Sequence, residues 1–261
     1  MPLRVGTLNI WNRMGPWDER LAAIRAGVAA ENVDVLALQE VVSIEGCEQA
    51  ALIADGLGYH FAQGRHAEAR LPMGNAVLSR FPILHQEILE LPTGDTLERR
   101  TLLHAVLDAP SGKLPVFVTH LNWRLGEGHV RELQIRFVTD AITRLCPPDT
   151  TFPPILMGDL NAEPDADEMR FLRGLTSLRG KSVYFADAWA HAGQGPGITF
   201  ARRNPFAAVN HEPDRRIDYI LVRGPDDRGR GEPTEAHLAF DAPHEGTFPS
   251  DHFGVVATIS T

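Results

Sequence analysis

Short apolar runs that stop at a polar side chain recur along this 261-residue chain, and they constrain its fold more than any other feature. The run from Asp34 to Leu38 ends at Gln39-Glu40, and the run from Pro154 to Met157 ends at Gly158-Asp159. Apolar runs of about four to eight residues are typical of buried strands. Because a polar side chain is costly inside a buried strand, the polar residues at the run ends are expected where strands end and loops begin.

The other segments alternate between strand and helix patterns, without an internal repeat or a long linker. Apolar spacing predicts helices over Trp17 to Ala30, Glu48 to Leu57, His129 to Leu145 and Asp167 to Leu172. Further strands are predicted over Leu3 to Ile10, Asn75 to Ser79, Ile83 to Leu89, Thr101 to Leu107, Leu114 to Thr119, Ile217 to Val222 and Phe253 to Ile259, with a loop over Pro225 to Pro233. Hairpins and helices in both halves predict two packed sheets with helices outside, in one domain over residues 1–261.

Two details of this pattern can be tested directly. The helix from His129 carries an apolar residue at every fourth position (Leu133, Phe137, Ala141 and Leu145), and Pro147-Pro148 is expected to end it. Cys47 and Cys146 are too few for a disulfide framework and are interpreted as buried free thiols, although one bridge between them stays open.

Charge and composition limit the possible partners. The net charge of -9 argues against a protein that grips long nucleic acid through phosphate neutralisation alone, so nucleic acid is possible but not favoured. A secretory leader is not visible, and no apolar stretch approaches the ~18 residues of a membrane span. We therefore expect a cytoplasmic protein without a membrane anchor, and no obligate protein partner can be read from the sequence.

Six of the run ends carry side chains suited to metal or phosphate chemistry. In Gly158-Asp159-Leu160-Asn161, an extended backbone would turn Asp159 and Asn161 to one face. A carboxylate beside an amide suits a hard cation and a phosphoryl oxygen, whereas an Asp-x-Asn turn is the ordinary alternative. The other five segments carry Asn9, Glu40, Asp218, Asp251 with His252, and His120 with Asn122.

Each of those segments also has an ordinary structural interpretation, such as a surface glutamate or an internally bonded amide. Together they supply carboxylates for a metal, amides for oxygens and histidines for proton transfer, as metal-assisted attack of water on phosphorus requires. The sequence lacks a Gly-x-Ser-x-Gly elbow, a His-Glu-x-x-His motif and paired Cys-x-x-Cys motifs, which disfavours other hydrolase classes.

The order of these motifs resembles the endonuclease/exonuclease/phosphatase superfamily, which includes DNase I, exonuclease III-type repair nucleases, neutral sphingomyelinases and inositol polyphosphate 5-phosphatases. The resemblance extends from Asn9 to His252. Its most specific marks are Gly158-Asp159-Leu160-Asn161, Ile217-Asp218-Tyr219 and Ser250-Asp251-His252. The resemblance implies an α/β (α+β) fold, a DNase I-like four-layer α/β/β/α sandwich, and a Mg2+-dependent phosphoesterase in which Mn2+ or Ca2+ could replace Mg2+.

The same resemblance implies roles for individual residues. The implied metal ligands are Asn9, Glu40, Asp159 and Asp251. The implied catalytic residues are His120, Asp159, Asn161, Asp218 and His252. The implied substrate contacts are Asn9, Arg100, Asn122 and Asn161. Asp159 is expected to orient or deprotonate water, and Asp218 to orient His252. His120 is expected to contact phosphate or protonate the leaving group, and which histidine is the acid stays open.

Several functions remain compatible with this interpretation. The favoured one is hydrolysis of a small or loosely held phosphodiester or phosphomonoester by in-line attack of activated water. A nonspecific DNA endonuclease or exonuclease is the alternative within the same fold. Outside catalysis, the chain could be a binding module on this fold or a metal-stabilised structural protein. The second of these predicts a closed ligand shell instead of amides and histidines around an open position.

Overall fold

The structure is a computed structural model that describes residues 2–44, 47–65, 72–147 and 151–261. In chain order its elements are β1 (Leu3–Asn9), α1 (Trp17–Glu31), β2 (Val35–Ile44), β3 (Cys47–Glu48), α2 (Gln49–Ala54), β4 (His60–Arg65), β5 (Met73–Ser79), β6 (Ile83–Glu90), β7 (Thr101–Ala109), β8 (Gly112–His120), α3 (Gly128–Leu145), β9 (Ile155–Asp159), α4 (Asp167–Leu172), β10 (Ala186–Asp187), α5 (Ala188–Ala192), α6 (Pro205–Ala208), β11 (Asp218–Val222), β12 (Pro233–Ala239) and β13 (Gly254–Ile259).

The strands form two sheets. The first sheet has the order β12-β13-β1-β2-β5-β4 with β3 beside β2, and the second has the order β10-β11-β9-β8-β7-β6. Most neighbours are antiparallel, but β1 and β2 run parallel in the first sheet, as do β8 and β9 in the second. Parallel neighbours need a crossover, which α1 and α3 supply. The carboxyl ends of the two strands in each parallel pair therefore lie side by side.

Three apolar clusters separate four layers. Residues alternate across each strand, so Val35 and Ala37 of β2 pack between the sheets, whereas Leu36 and Leu38 pack against helices. The helix α1 covers the first sheet through Ile24, and the helices α3 and α4 cover the second. This α/β/β/α order confirms the predicted four-layer sandwich.

Some predicted elements differ from those observed. The helix expected over Glu48 to Leu57 is shorter, because β3 takes Glu48 and α2 ends at Ala54. The strands β4 and β12 were not predicted, and the expected loop from Pro225 gives way to β12 at Pro233. Both strands lie at the edge of the first sheet, where backbone pairing with one neighbour holds a strand that lacks an apolar run.

The helix α3 is confirmed, but its every-fourth apolar stripe is only partly buried. Phe137 is exposed, and the helix buries Ile135, Val138 and Ile142 instead. A step of four residues turns a helix by about 400°, so a strict every-fourth stripe drifts about 40° per step off the buried face. The core face of this helix therefore follows mixed steps of three and four residues.

Two smaller expectations have a direct outcome. Cys47 and Cys146 are both buried free thiols, as predicted. In the part of the chain that the structure describes, no helix has both the length and the apolar character required to cross a bilayer.

Candidate active site

The sheet topology gathers the predicted polar residues at one end of the sandwich. Asn9 ends β1 and pairs in register with Gln39 of the parallel strand β2, one residue before Glu40. In the second sheet, Asp159 ends β9 and pairs with both His120 of β8 and Asp218 of β11. Three titratable side chains of the second sheet therefore lie side by side on neighbouring strands.

The segment before β13 closes this site from the side of the first sheet. The Ser250 hydroxyl donates to the Asn9 carbonyl oxygen at 2.6 Å, and the His252 backbone N–H donates to Ser250 Oγ at 3.2 Å. Since β13 runs antiparallel to β1, the residues just before it must lie beside the end of β1. The short motif Ser250-Asp251-His252 is thus held against Asn9 by its own serine.

Glu40 is turned toward the cleft by an irregularity in β2. The pairing of β2 with β5 shifts between Leu38 and Val41, so β2 carries one extra residue there, and Glu40 has φ 59°. Such a bulge re-aims a side chain that a regular strand would point elsewhere. The Glu40 carboxylate accepts from Asn12 Nδ2 at 2.7 Å and from Asn9 Nδ2 at 3.4 Å.

Asp159 lies where the two sheets meet. Its Oδ2 accepts from Asn9 Nδ2 at 3.0 Å, a bond that joins the first sheet to the second. Its Oδ1 accepts from the Asn161 backbone N–H at 2.9 Å, and His120 Nε2 lies 3.3 Å from Oδ2. Asn161 itself has φ 51°, and its side-chain amide donates to the Leu121 carbonyl oxygen at 3.1 Å.

Gly158 explains why glycine precedes this aspartate. Its φ is +146°, and a Cβ atom placed there would lie 1.9 Å from the Thr119 carbonyl oxygen. No side chain fits so close to the backbone of the neighbouring strand β8. The glycine thus allows Asp159 and His120 to lie side by side.

His252 is oriented by Asp218. Its Nδ1 lies 2.9 Å from Asp218 Oδ2, and its Nε2 lies 3.8 Å from Asp159 Oδ2. The backbone N–H of Asp218 donates to the hydroxyl of Thr199 at 3.2 Å, and the Phe200 ring packs 5.0 Å from the imidazole. A carboxylate on one ring nitrogen fixes the tautomer and leaves the other nitrogen directed at the site.

Buried negative charge dominates the electrostatics of the site. Burial raises the pKa of Asp159 to about 7, with a further contribution from Asp218. Burial likewise raises the pKa of Asp251 to about 6, and Glu40 adds to this rise. Asp218 Oδ1 is buried without a hydrogen-bond partner among the described residues. Carboxylates this crowded need positive charge beside them.

The two histidines respond in opposite ways. Burial opposes protonation of His252, but the neighbouring carboxylates, Asp218 first, leave its pKa well above the ordinary value. Burial lowers the pKa of His120 well below that value, and the positive charges of Arg100 and His252 lower it further. The surroundings therefore favour the protonated form of His252 and the neutral form of His120.

Arg20 is a buried cation that the sequence analysis missed. Its five N–H groups donate to five carbonyl oxygens at 2.7–3.2 Å, those of Ile10, Trp11, Asn12, Met14 and Pro249. These carbonyls belong to the loop after β1 and to the segment before Ser250, so one side chain joins the two loops that carry site residues. Burial lowers the pKa of Arg20 to about 10, and Asp251 and Glu40 oppose that shift.

An open cleft of about 210 Å³ lies over Glu40 and His120. Its other lining residues are Met73, Gly74, Asn75, Glu98, Arg99, Arg100, Thr101 and Trp123. Arg100 thus faces the cleft as expected, with its Nε donating to Glu98 at 2.6 Å.

The Asn122 side chain is buried and bonded to protein partners. It is fully buried, its Nδ2 donates to Glu98 at 3.0 Å and to Glu127 at 2.8 Å, and its Oδ1 accepts from the Arg124 backbone. The side chain is therefore committed to protein partners and supports Glu98 from behind. The other expected site residues converge at the strand ends, with Asp159, Asp218 and His252 offering atoms within 4.8 Å of one another.

The four layers and the polar cluster at one end of both sheets define a DNase I-like protein. The model of the endonuclease/exonuclease/phosphatase family matches residues 6–252. The chain belongs to the endonuclease/exonuclease/phosphatase family, which comprises phosphoesterases and nucleases.

Relatives found by sequence match about 60% of the chain. The chain is 29% identical over 172 residues to the uncharacterized protein YbhP of Escherichia coli strain K12, and the match covers 60% of this chain. It spans 66% of the length of that protein, about two thirds. YbhP of Shigella flexneri matches with the same values.

Solved structures share the fold over the whole chain. The catalytic domain of human Nocturnin with bound sulfate has a TM-score of 0.77 at 22% identity, covering 99% of this chain and 94% of that one. TDP2 of D. rerio, complexed with a single-strand DNA product, has a TM-score of 0.80 at 23% identity, covering 100% and 99%. An endonuclease/exonuclease/phosphatase protein of Beutenbergia cavernae is 26% identical, with a TM-score of 0.72 and coverage of 99% and 71%.

Proposed function

We propose that this protein hydrolyses phosphate esters with a divalent cation, Mg2+ in the first instance, bound by Glu40, Asp159 and Asp251. The observation that carries this proposal is the cluster of buried carboxylates at the strand ends, where burial raises the pKa of Asp159 to about 7 and that of Asp251 to about 6. A protein gains nothing from such crowding unless a cation neutralises it.

The donor set fits a hard cation. Carboxylate and amide oxygens are the protein ligands that Mg2+, Mn2+ and Ca2+ accept, and Asn9 lies within 3.0–3.4 Å of Asp159 and Glu40. Arg20 cannot take the place of the cation, because all five of its N–H groups are used on backbone carbonyls. When bound, such a cation withdraws charge from a phosphoryl oxygen and promotes ionisation of a bound water.

Three residues of the site are suited to activating water. Asp159 has a pKa near neutrality, so its carboxylate can orient a water molecule and accept a proton from it. Asp218 fixes His252, whose pKa lies well above the ordinary value, and His252 Nε2 lies 3.8 Å from Asp159. We propose that the Nε2–H of His252 donates a hydrogen bond to a phosphoryl oxygen and offsets the negative charge that develops there.

Two further residues are suited to the leaving group and the phosphate. Burial lowers the pKa of His120 well below the ordinary value, and its Nε2 lies 3.3 Å from Asp159 Oδ2. An anionic phosphate beside this imidazole would favour its protonated form, which can then protonate the leaving oxygen. Asn161 uses one amide hydrogen on Leu121, and we assign the other to a phosphoryl oxygen. Arg100, and Asn122 through Glu98, would position the substrate.

A small phosphodiester or phosphomonoester is the substrate class that we favour. The cleft of about 210 Å³ is comparable to a small head group, and the net charge of -9 gives no broad attraction for a polyanion.

A nuclease acting on single strands is the second candidate, and one observation favours it. Trp123 at the cleft is half-exposed, with the Arg124 guanidinium 5.0 Å from its ring centroid. An exposed aromatic ring beside a cation is a surface on which a nucleic-acid base can stack. TDP2 of D. rerio, which has a similar fold, was solved with a single-strand DNA product.

A panel of phosphoesters tests both candidates. Bis-p-nitrophenyl phosphate, nucleotides, inositol phosphates, sphingomyelin, single-stranded oligonucleotides and plasmid DNA are each incubated with the protein and Mg2+ or Mn2+. We expect release of phosphate or phenol from at least one small ester, and loss of that activity in EDTA. Turnover confined to the oligonucleotides would favour the nuclease, and no turnover of any ester would contradict the enzyme and favour a binding module.

A matched pair of variants makes the result specific to the site. Glu40→Gln keeps the size of the side chain but removes one charge from the cation ligands, so it should lower the rate and raise the Mg2+ concentration needed for half-maximal activity. Glu19→Gln makes the same change on an exposed turn of α1 and should leave both quantities unchanged. Equal activity of the two variants would contradict the assignment of Glu40.

A further inference from the structure

A second group of possible metal ligands lies on the hairpin formed by β6 and β7. Glu87 and His104 face each other across the two strands, and His85 lies two residues before Glu87 on the same strand. Residues two apart on a strand share a face, so all three side chains project from one side of the second sheet. His104 lies on the same face as its cross-strand neighbour Phe117, which packs in the cluster under α3.

This group is separate from the candidate active site. Thr101, which lines the cleft, lies three residues from His104 along β7, about 10 Å at the usual rise per residue. An odd spacing places the two side chains on opposite faces of the sheet. A ligand bound by His104 would therefore not occupy the cleft.

The distances within the group suit a first-row metal ion. His104 Nδ1 lies 3.0 Å from Glu87 Oε1, and His85 Nε2 lies 3.9 Å from the same oxygen. One atom from each residue falls within 4.8 Å of the others. Ligands at about 2.0–2.1 Å from a tetrahedral Zn2+ ion are about 3.3 Å apart, so small side-chain movements complete the geometry.

Packing also restricts the most buried of the three side chains. The His104 ring stacks on Phe117 with 4.4 Å between ring centroids and 6° between planes. His104 is almost fully buried, whereas more than half of the His85 side chain is exposed. One nearly buried histidine, one partly exposed carboxylate and one exposed histidine therefore surround a position that an incoming ion can reach.

We propose that His85, Glu87 and His104 bind one Zn2+ ion at this outer face of the second sheet. Two imidazoles and one carboxylate form a ligand set that zinc accepts and that the harder Mg2+ does not favour. The ion would link β6, the edge strand of the second sheet, to β7 through side chains as well as backbone bonds. Zinc binding should therefore stabilise the folded chain.

The test measures zinc retention while excess Mg2+ competes at oxygen-rich sites. Protein stripped with EDTA is dialysed against micromolar ZnCl2 with millimolar MgCl2, and bound zinc is measured by atomic emission. We expect one equivalent in the wild type and a loss in His85→Ala and Glu87→Gln. Loss of a supporting residue behind a metal ligand typically weakens binding about 10- to 100-fold, so loss of a ligand itself should exceed that range.

A control histidine and a second readout keep the result interpretable. His237 pairs with Glu31 at 3.0 Å and is about half exposed, but no third ligand is grouped with this pair among the described residues, so His237→Ala should retain zinc. Zinc should also raise the melting temperature of the wild type and of His237→Ala, and not that of His85→Ala. Equal zinc retention by wild type and His85→Ala, or no retention by either, overturns the proposal.

Discussion

The two sheets contribute different chemistry to the site. The first sheet supplies the proposed cation ligands Asn9, Glu40 and Asp251, together with the imidazole of His252. The second sheet supplies His120, Asp218 and the further proposed ligand Asp159. Burial lowers the pKa of His120 well below its ordinary value and raises the pKa of Asp159 to about 7. Contacts that cross between the sheets include Asn9 to Asp159 at 3.0 Å, His252 to Asp218 at 2.9 Å and His252 to Asp159 at 3.8 Å. The difference suggests that cation binding and proton transfer can be separated by mutation.

The largest separation is expected from His252→Ala. Removing this imidazole should lower kcat/KM by about 10^2- to 10^4-fold, as loss of a positioned proton donor or acceptor does. The Mg2+ concentration for half-maximal activity should change little, unlike that of Glu40→Gln. Rates across a Mg2+ titration provide the measurement, with His237→Ala as the control. A shift in Mg2+ requirement as large as that of Glu40→Gln would show that cation binding and proton transfer cannot be separated by mutation.

Arg20→Met should give the next largest effect, on stability. It leaves the carbonyls of the loop after β1 and of Pro249 without their donor, and unsatisfied buried groups typically cost about 1–3 kcal/mol each. Because water can reach some of them, we expect the free energy of unfolding to fall by about 3–5 kcal/mol in urea denaturation. Arg25→Met, at a partly exposed arginine that donates to Leu52, should lose less than about 1 kcal/mol. Similar losses would remove Arg20 as the link between the loops.

Asp159 of the second sheet should make the stability of the fold depend on pH. The pKa of Asp159 is about 7 in the folded chain, against 3.8 for an aspartate free in water, so the folded state keeps a proton that the unfolded state loses between these values. The free energy of unfolding should therefore fall as pH rises from about 4 to about 7 and then level off. In EDTA, Asp159→Asn should remove on the order of 2–4 kcal/mol of that fall. Denaturation across this pH range measures it, and an unchanged slope would contradict the assignment.

The smallest effect is expected at the rim. Trp123→Ala should raise KM by about 2- to 10-fold for an aromatic ester such as bis-p-nitrophenyl phosphate, because a stacked ring contributes about 1 kcal/mol, and should leave kcat unchanged. Leu97→Ala, at a fully exposed apolar side chain, serves as the control. Steady-state kinetics separates KM from kcat, and a fall in kcat alone would assign Trp123 a role in the chemistry.

The sequence predicted the strand-end residues better than their surroundings. Asp159 and Asn161 were found because a glycine and two polar residues interrupt an apolar run, and the close approach of Gly158 to Thr119 explains that interruption. Arg20 could not be found, since its partners are backbone carbonyls that no side-chain pattern records. Asn122 was expected at the substrate because it follows His120, yet its amide is committed to Glu98 and Glu127.

The edge strands show the same limit in the fold. β8 and β9 were predicted because apolar residues must fill both of their faces. β4 and β12 have no such requirement, and each is held in the first sheet by backbone pairing with one neighbour, β5 or β13. Strand pairing of that kind cannot be predicted from local composition.

The bond from Asn9 to Asp159 makes the geometry of the proposed active site depend on the position of one sheet relative to the other. A slide of a few tenths of an ångström between them would stretch this contact while every strand remained paired. On heating, turnover should then fade before circular dichroism reports any melting, because reaction geometry tolerates less displacement than secondary structure does.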